Sequence, residues 1–142
     1  MTHFTKPTRN NANKRVAYTN ARLMDPESGL DTKGALLTEG DRIADFGPQL
    51  FADGQVPEGI ETVDCAGHVL CPGLLDIQVH FREPGQEYKE TIESGSMAAA
   101  AGGVTTVATM PNTRPVVDDI SVLAFLQKRA AESSYVNIRP YA

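Results

Sequence analysis

The stretch from Cys71 to Gly85, CPGLLDIQVHFREPG, decides the fold of this chain. An apolar run opens it, and polar side chains then stand at every second position, ending with Gln78, His80 and Arg82. Because side chains at i, i+2 and i+4 point to one side of a strand, these three are expected to share a face. A half-buried surface strand alternates in the same way, but it seldom places an imidazole beside a guanidinium. The stretch therefore predicts a strand that ends at Pro84-Gly85 and carries an amide, an imidazole and a guanidinium on one face.

After this strand, the chain alternates between helical and strand patterns. The segment YKETIESGSMAAAAGG places Tyr88, Ile92 and Ala99 on one helical face, and two glycines end it. The β-branched run VTTVATM, the loop MPNTRP, a second helix that Asp119 can cap, and a strand in YVNIRPYA follow. The order β-α-β-α-β predicts parallel strands covered by helices, either in a doubly wound sheet or in a (β/α)8 barrel.

The first half of the chain has a different sequence pattern, with short β-branched segments between tight turns. The turn Glu39-Gly40-Asp41 separates two apolar segments and predicts a hairpin. Residues 1–13 carry charge without an apolar run, so we expect them to be a disordered tail. The strands that the pattern predicts cover residues 16–24, 35–38, 42–46, 60–64 and 68–70.

Composition narrows the class of protein. The chain has 142 residues and a formal net charge of −5, which gives no reason to expect nucleic-acid binding. Its apolar runs fall far short of the roughly 20 residues that a membrane span needs. The N-terminal residues lack the apolar core of an export signal, so we expect a cytoplasmic protein. Cys65 and Cys71, six residues apart, match no common zinc spacing.

Polar side chains stand at the predicted carboxyl ends of two neighbouring strands, where the reacting groups of parallel α/β proteins gather. The first end carries His80 and Arg82, and the second carries Asn112. An imidazole suits a metal or a proton transfer, a guanidinium fork suits a carboxylate or phosphate, and an amide offers one donor and one acceptor. Together they describe a site for a small anion, with a metal beside it as an option.

Each of these residues also has an ordinary structural interpretation. A histidine near a strand end is often structural, and an asparagine after a proline is a common turn residue. The guanidinium of Arg82 has acidic neighbours in sequence with which it can pair on the surface, namely Glu83, Glu87 and Glu90. The glycines that end the first helix are explained by its C-terminus and do not indicate a phosphate loop.

The motif DIQVHFREPG, followed by KETIESGSMAAAAGGVTTVATMPNTRP, resembles the dihydroorotases of the amidohydrolase superfamily. The resemblance runs from about Val16 to the end of the chain, and LLTEGDRIADFGP resembles the small β domain before the barrel of these enzymes. It implies an α/β protein with a small β-sandwich-like domain over residues 14–71. The first β-α-β-α-β units of an incomplete (β/α)8 TIM barrel would follow over residues 72–142.

The resemblance also implies an activity, the reversible interconversion of N-carbamoyl-L-aspartate and L-dihydroorotate in de novo pyrimidine biosynthesis. It assigns His80, Arg82 and Asn112 to substrate binding, and His80 also to a zinc site of one or two ions. Gln78 stands where most members have the first histidine of a metal-binding pair, and a neutral amide is a weaker zinc ligand than imidazole. The other metal ligands and the catalytic aspartate are expected beyond Ala142, so these residues alone are expected to be inactive.

Two other functions remain open at this point. Gln78 is compatible with a catalytically silent dihydroorotase-like subunit that supports a transcarbamylase. An allantoinase or hydantoinase is a further alternative, but the substrates of those enzymes lack the carboxylate for which Arg82 is suited. The expected partners are therefore a small-molecule substrate and either a second copy of the chain or a transcarbamylase, with no nucleic acid and no membrane.

Overall fold

The computed structural model of the protein describes residues 14–142, so the tail expected over residues 1–13 lies outside the described residues. The described chain forms strands and two helices, as an α/β protein does. It divides into two compact units, with the boundary between Pro72 and Gly73. We call the described residues before the boundary the β unit and those after it the α/β unit.

The β unit consists of one mixed sheet. Its strand order is β3-β2-β1-β4, and β5 pairs with β1 beside β4. The first three strands are antiparallel, whereas β4 and β5 run parallel to β1. The strands are β1 (Arg15–Asp25), β2 (Leu30–Glu39), β3 (Arg42–Gly47), β4 (Glu61–Asp64) and β5 (Val69–Leu70).

The predicted strands and hairpin of this unit are present, although β2 begins at Leu30 and not at Ala35. Alternating apolar residues of β1 are buried, among them Ala17, Ala21 and Leu23, because side chains of a strand point in turn to its two faces. Gly40 takes a φ of 60° in the predicted hairpin turn. A sandwich-like domain needs two facing sheets, and the described residues of this unit form one of them. The second layer therefore stays a prediction.

The α/β unit alternates strands and helices, as predicted. Its three strands pair in the order β6-β7-β8, and all are parallel. Neither helix in the described part of the chain is long and apolar enough to cross a membrane. The elements are β6 (Leu74–Val79), α1 (Ile92–Ala101), β7 (Val104–Thr109), α2 (Ile120–Ser133) and β8 (Asn137–Pro140).

Two predicted boundaries in the α/β unit are wrong. Strand β6 ends at Val79 and not at Pro84-Gly85, because pairing with β7 stops where Met110 N donates to Val79 O at 2.8 Å. Helix α1 begins at Ile92 and does not include Tyr88, which lies in the preceding turn with 82% of its surface exposed.

A reciprocal cap sets the start of helix α1. The Thr91 hydroxyl accepts from Ser94 N at 3.1 Å, and the Ser94 hydroxyl accepts from Thr91 N at 3.0 Å. Such a pair satisfies backbone donors that the first helical turn leaves unpaired. Asp119 caps helix α2 as predicted, accepting from Ser121 N at 2.7 Å.

The core of the α/β unit fixes the segment that follows β6. Phe81 is buried between the helices and the sheet, in a cluster that includes Ile92, Val107 and Leu126. Its ring lies directly against Gly95 of helix α1, where a β-carbon would overlap it. Because Phe81 lies between His80 and Arg82 in the chain, this packing anchors the candidate site residues to the core.

Replacing Gly95 with alanine tests this anchor. Alanine is the better helix former by about 1 kcal/mol, yet we expect Gly95→Ala to lower the free energy of unfolding by about 1–3 kcal/mol, because the added methyl group displaces Phe81. Urea unfolding followed by circular dichroism measures the change.

Gly102→Ala is the matched control. Gly102 ends the same helix at a φ of −86°, and its nearest neighbour would lie 3.5 Å from the added carbon. Its effect should stay within about 0.5 kcal/mol. Equal effects of the two substitutions would contradict the anchoring role of Gly95.

Candidate functional site

The carboxyl ends of β6 and β7 bring together two of the residues that the sequence singled out. His80 directly follows β6, and Asn112 lies three residues after the end of β7. The His80 Nδ1 atom is 3.1 Å from the Asn112 Oδ1 atom. The parallel pairing of the strands thus places an imidazole and a carboxamide, 32 residues apart in sequence, in direct contact.

This contact defines the chemistry of the imidazole. An amide oxygen can only accept a hydrogen bond, so Nδ1 of His80 carries the proton and donates it to Asn112 Oδ1. The Nε2 atom then keeps its lone pair. Histidines that bind metals in proteins commonly donate their other ring N–H in this way. His80 therefore fits the role of a single imidazole ligand for a metal.

Arg82 lies two residues beyond the histidine and is half-buried. Within residues 14–142, no hydrogen bond or ion pair engages its guanidinium. Two of the acidic neighbours that offered surface pairing are engaged elsewhere: Glu87 accepts from Gly85 N at 2.8 Å, and Glu83 is buried in the protein. The fork of Arg82 is thus available to an anion.

Glu83 is a buried carboxylate that the sequence suggested only as a surface partner. It is 4% exposed, and its two oxygens have different partners. Oε2 accepts from Ile92 N at 2.9 Å, and Oε1 accepts from Arg129 Nε at 2.6 Å. The hydrogen bond and the charge of Glu83 raise the pKa of Arg129. This contact spans 46 residues, so no local signal in the sequence indicated it.

Two main-chain contacts also join the loops after β6 and β7. Arg114 N donates to Pro84 O at 3.0 Å. Gly85 has a φ of +98°, and a β-carbon there would overlap the main chain of Arg114. Only glycine satisfies both requirements, so the glycine of the FREPG motif serves the packing of the two loops.

Gln78 lies near the end of β6, at an irregularity in the pairing with β7. Between the pairs Asp76–Val107 and Val79–Thr109, β6 holds one residue more than β7. The Asp76 carboxylate accepts from Gln78 N at 3.0 Å at this bulge. Bulges of this kind are frequent next to active sites, where they change the direction of side chains.

The described residues do not complete a metal site. No group of three or more His, Cys, Asp and Glu side chains in residues 14–142 is placed to hold a metal ion.

A separate groove of about 300 Å³ lies in the β unit. Its walls are almost entirely apolar and include Leu23, Leu36 and Phe46. It offers no set of polar groups with which to orient a small anion, so the strand ends of the α/β unit remain the candidate site.

Residues 67–142, over half of the chain, match the model of the family described as dihydro-orotase-like. The chain therefore belongs to the dihydro-orotase-like family. It is 60% identical over 131 residues to a dihydroorotase from Wolbachia sp. subsp. Brugia malayi, covering 92% of this chain and 29% of the relative. A dihydroorotase from Ehrlichia chaffeensis is 58% identical over 132 residues, with the same two shares of coverage. The chain thus spans less than a third of the length of these relatives.

Solved structures show a similar fold. An L-hydantoinase (dihydropyrimidinase) from Arthrobacter aurescens has a TM-score of 0.77 and 26% sequence identity, covering 89% of this chain and 27% of the hydantoinase. A D-hydantoinase from Thermus sp. has a TM-score of 0.67 at the same identity and coverage. The α/β character predicted from the sequence is confirmed.

The contact between His80 and Asn112 predicts one tautomer of the imidazole. In ¹⁵N NMR spectra of the unaltered protein, Nδ1 of His80 should carry the proton. In Asn112→Ala, the neutral imidazole of His80 should become a mixture of both tautomers. His68 is an internal control, because its Nδ1 atom lies 2.7 Å from Cys65 O, which can only accept. The spectrum of His68 should not change. A His80 protonated at Nε2 in the unaltered protein would contradict the assignment.

Proposed function

We propose that this chain is the N-terminal portion of a dihydroorotase, which interconverts L-dihydroorotate and N-carbamoyl-L-aspartate. The observation that carries the proposal is the pair His80–Asn112, joined at 3.1 Å, with the unpaired guanidinium of Arg82 two residues away. Membership of the dihydro-orotase-like family supports the same reaction. Dihydroorotate bears a carboxylate beside a cyclic amide, so its chemistry matches this set of groups.

In this proposal, Arg82 binds the substrate carboxylate through two parallel N–H···O bonds, which fix the plane of the ring. Asn112 holds the imidazole of His80 in one tautomer through its side-chain oxygen. The side-chain N–H groups of Asn112 are left to donate to the substrate carboxylate. Nε2 of His80 would serve as one ligand of a zinc ion. Zinc, when bound, supplies a water that is deprotonated near neutral pH for attack on the ring amide.

The β-α-β-α-β order is consistent with the first part of a (β/α)8 barrel, and we propose that residues 72–142 have this role. Three large apolar residues of β6 are strongly exposed: Leu74 at 55%, Leu75 at 60% and Ile77 at 65%. A strand of a closed barrel would bury such residues against neighbouring elements. The β domain over residues 14–71, the zinc site and a cytoplasmic location are parts of the same proposal.

A catalytically silent, dihydroorotase-like subunit is a second candidate, and Gln78 is the observation that favours it. An amide at a position where the resemblance implies a histidine would weaken a metal site. The unpaired guanidinium of Arg82 favours the enzyme, because a silent subunit has no chemical need for an unoccupied anion fork.

Assays of the full-length protein distinguish these functions. We expect it to open dihydroorotate and to close N-carbamoyl-L-aspartate, with no comparable turnover of allantoin or hydantoin. Chelation should abolish the activity, and added zinc should restore it. A metal-loaded protein without activity on dihydroorotate that co-purifies with a transcarbamylase would support the silent subunit instead.

Arg82→Ala tests the anion fork in the same protein. Losing a two-bond contact with a carboxylate should cost about 1.5–3 kcal/mol of transition-state stabilisation, a decrease of roughly 10- to 150-fold in kcat/KM. Arg82→Lys should recover only part of it, because an ammonium lacks the planar fork.

Arg42→Ala, in β3 of the β unit, is the control for the loss of an arginine. Its guanidinium is exposed, and its ion pair with Asp41 is long at 3.9 Å. We expect unchanged kinetics. If Arg82→Ala also had near-normal kinetics, Arg82 would not belong to the site.

A further inference from the structure

We infer that Arg129 is a positioning residue that keeps Arg82 available to an anionic ligand by holding the carboxylate of Glu83 away from it. The inference rests on the proposed role of Arg82 as the substrate-binding fork. It adds a residue of helix α2, which belongs to none of the motifs that indicated the site.

Glu83 directly follows Arg82 in the chain, so its carboxylate is the acidic group with the shortest chain connection to the unpaired guanidinium. A pair between them would neutralise the fork and compete with the carboxylate of any ligand. The structure shows no such pair, although Glu83 carries the acidic group closest to Arg82 in sequence.

Two groups inside the protein hold the carboxylate of Glu83. Arg129 Nε binds Oε1 at 2.6 Å, and Ile92 N, at the start of helix α1, binds Oε2 at 2.9 Å. Both oxygens therefore have partners inside the protein. The carboxylate is 4% exposed, so water cannot readily replace either partner.

Removing Arg129 would take from the buried Glu83 carboxylate the cation that it contacts. A buried carboxylate that loses its cation is strongly unfavourable, and it either takes a proton or finds another cation. The main-chain N–H of Ile92 would remain as a partner, but it carries no charge. The guanidinium of Arg82, one residue away, is the cation that could replace Arg129.

Other charged groups face Arg129 as well. Its Nη1 atom lies 3.6 Å from Glu132 Oε2, and Glu132 also lies 3.9 Å from Lys128 Nζ. Glu132 is half-exposed, so it can be solvated without Arg129. The consequence of removing Arg129 therefore falls mainly on Glu83.

The test compares Arg129→Met, Arg129→Lys and the double variant Glu83→Gln/Arg129→Met in the full-length enzyme. Arg129→Met should raise KM for dihydroorotate by about tenfold with a change in kcat below about threefold, because binding of the carboxylate is what is lost. Arg129→Lys keeps the cation, and the double variant removes the buried charge. Both should stay within about threefold of the unaltered KM.

Lys128→Met is the control on the same helix, since it removes a cation that does not contact Glu83. Its KM should not change. An unchanged KM in Arg129→Met would overturn the inference. If Arg129→Met does not fold, the double variant decides: a KM within about threefold supports the inference, and a tenfold rise overturns it.

A crystal structure of the Arg129→Met protein separates this inference from the proposed function. If the unaltered full-length protein does not turn over dihydroorotate, the proposed function fails. The position of Glu83 can still be determined. A Glu83 carboxylate within about 4 Å of the Arg82 guanidinium supports the inference. A Glu83 carboxylate that still accepts from Ile92 N and lies away from Arg82 overturns the inference. If Arg129→Met does not fold, the structure of the double variant is determined instead. An Arg82 that pairs with another carboxylate in that structure also overturns the inference.

Discussion

The parallel pairing of β6 with β7 is the constraint on which the candidate site depends. Parallel strands end at the same edge of a sheet, so the residues that follow them meet however far apart they are in sequence. Here the pairing ends with the bond from Met110 N to Val79 O, and His80 and Asn112 lie immediately beyond it. The tautomer of His80 and its free Nε2 lone pair follow from that meeting.

The segment after β6 is irregular backbone, yet several contacts hold it. Phe81 is packed in the core against Gly95, Glu83 is bonded to the first turn of helix α1, and Gly85 lies against the loop after β7. Burial alternates along this segment, so the buried Phe81 separates the two partly exposed groups, His80 and Arg82. A site built in this way has its geometry set by the core of the α/β unit.

Local chemistry made much of this predictable. The cap at Asp119, the β-branched strand VTTVAT and the glycine of the hairpin turn each depend on residues within a few positions, and the structure has all three. Two of the errors lie where distant contacts decide. The end of β6 depends on where β7 stops pairing. The start of α1 is a local error, because the Thr91–Ser94 cap outweighs the helical periodicity of Tyr88. The burial of Glu83 depends on Arg129, 46 residues away, which no local pattern indicates.

We propose above all that the ends of β6 and β7 together bind a small carboxylic acid. A crystal structure of the full-length protein with dihydroorotate bound tests it most directly. We expect the ligand's carboxylate to accept two hydrogen bonds from the guanidinium of Arg82, with the contact between His80 and Asn112 intact. A carboxylate bound by other side chains, with Arg82 directed into solvent, would contradict it.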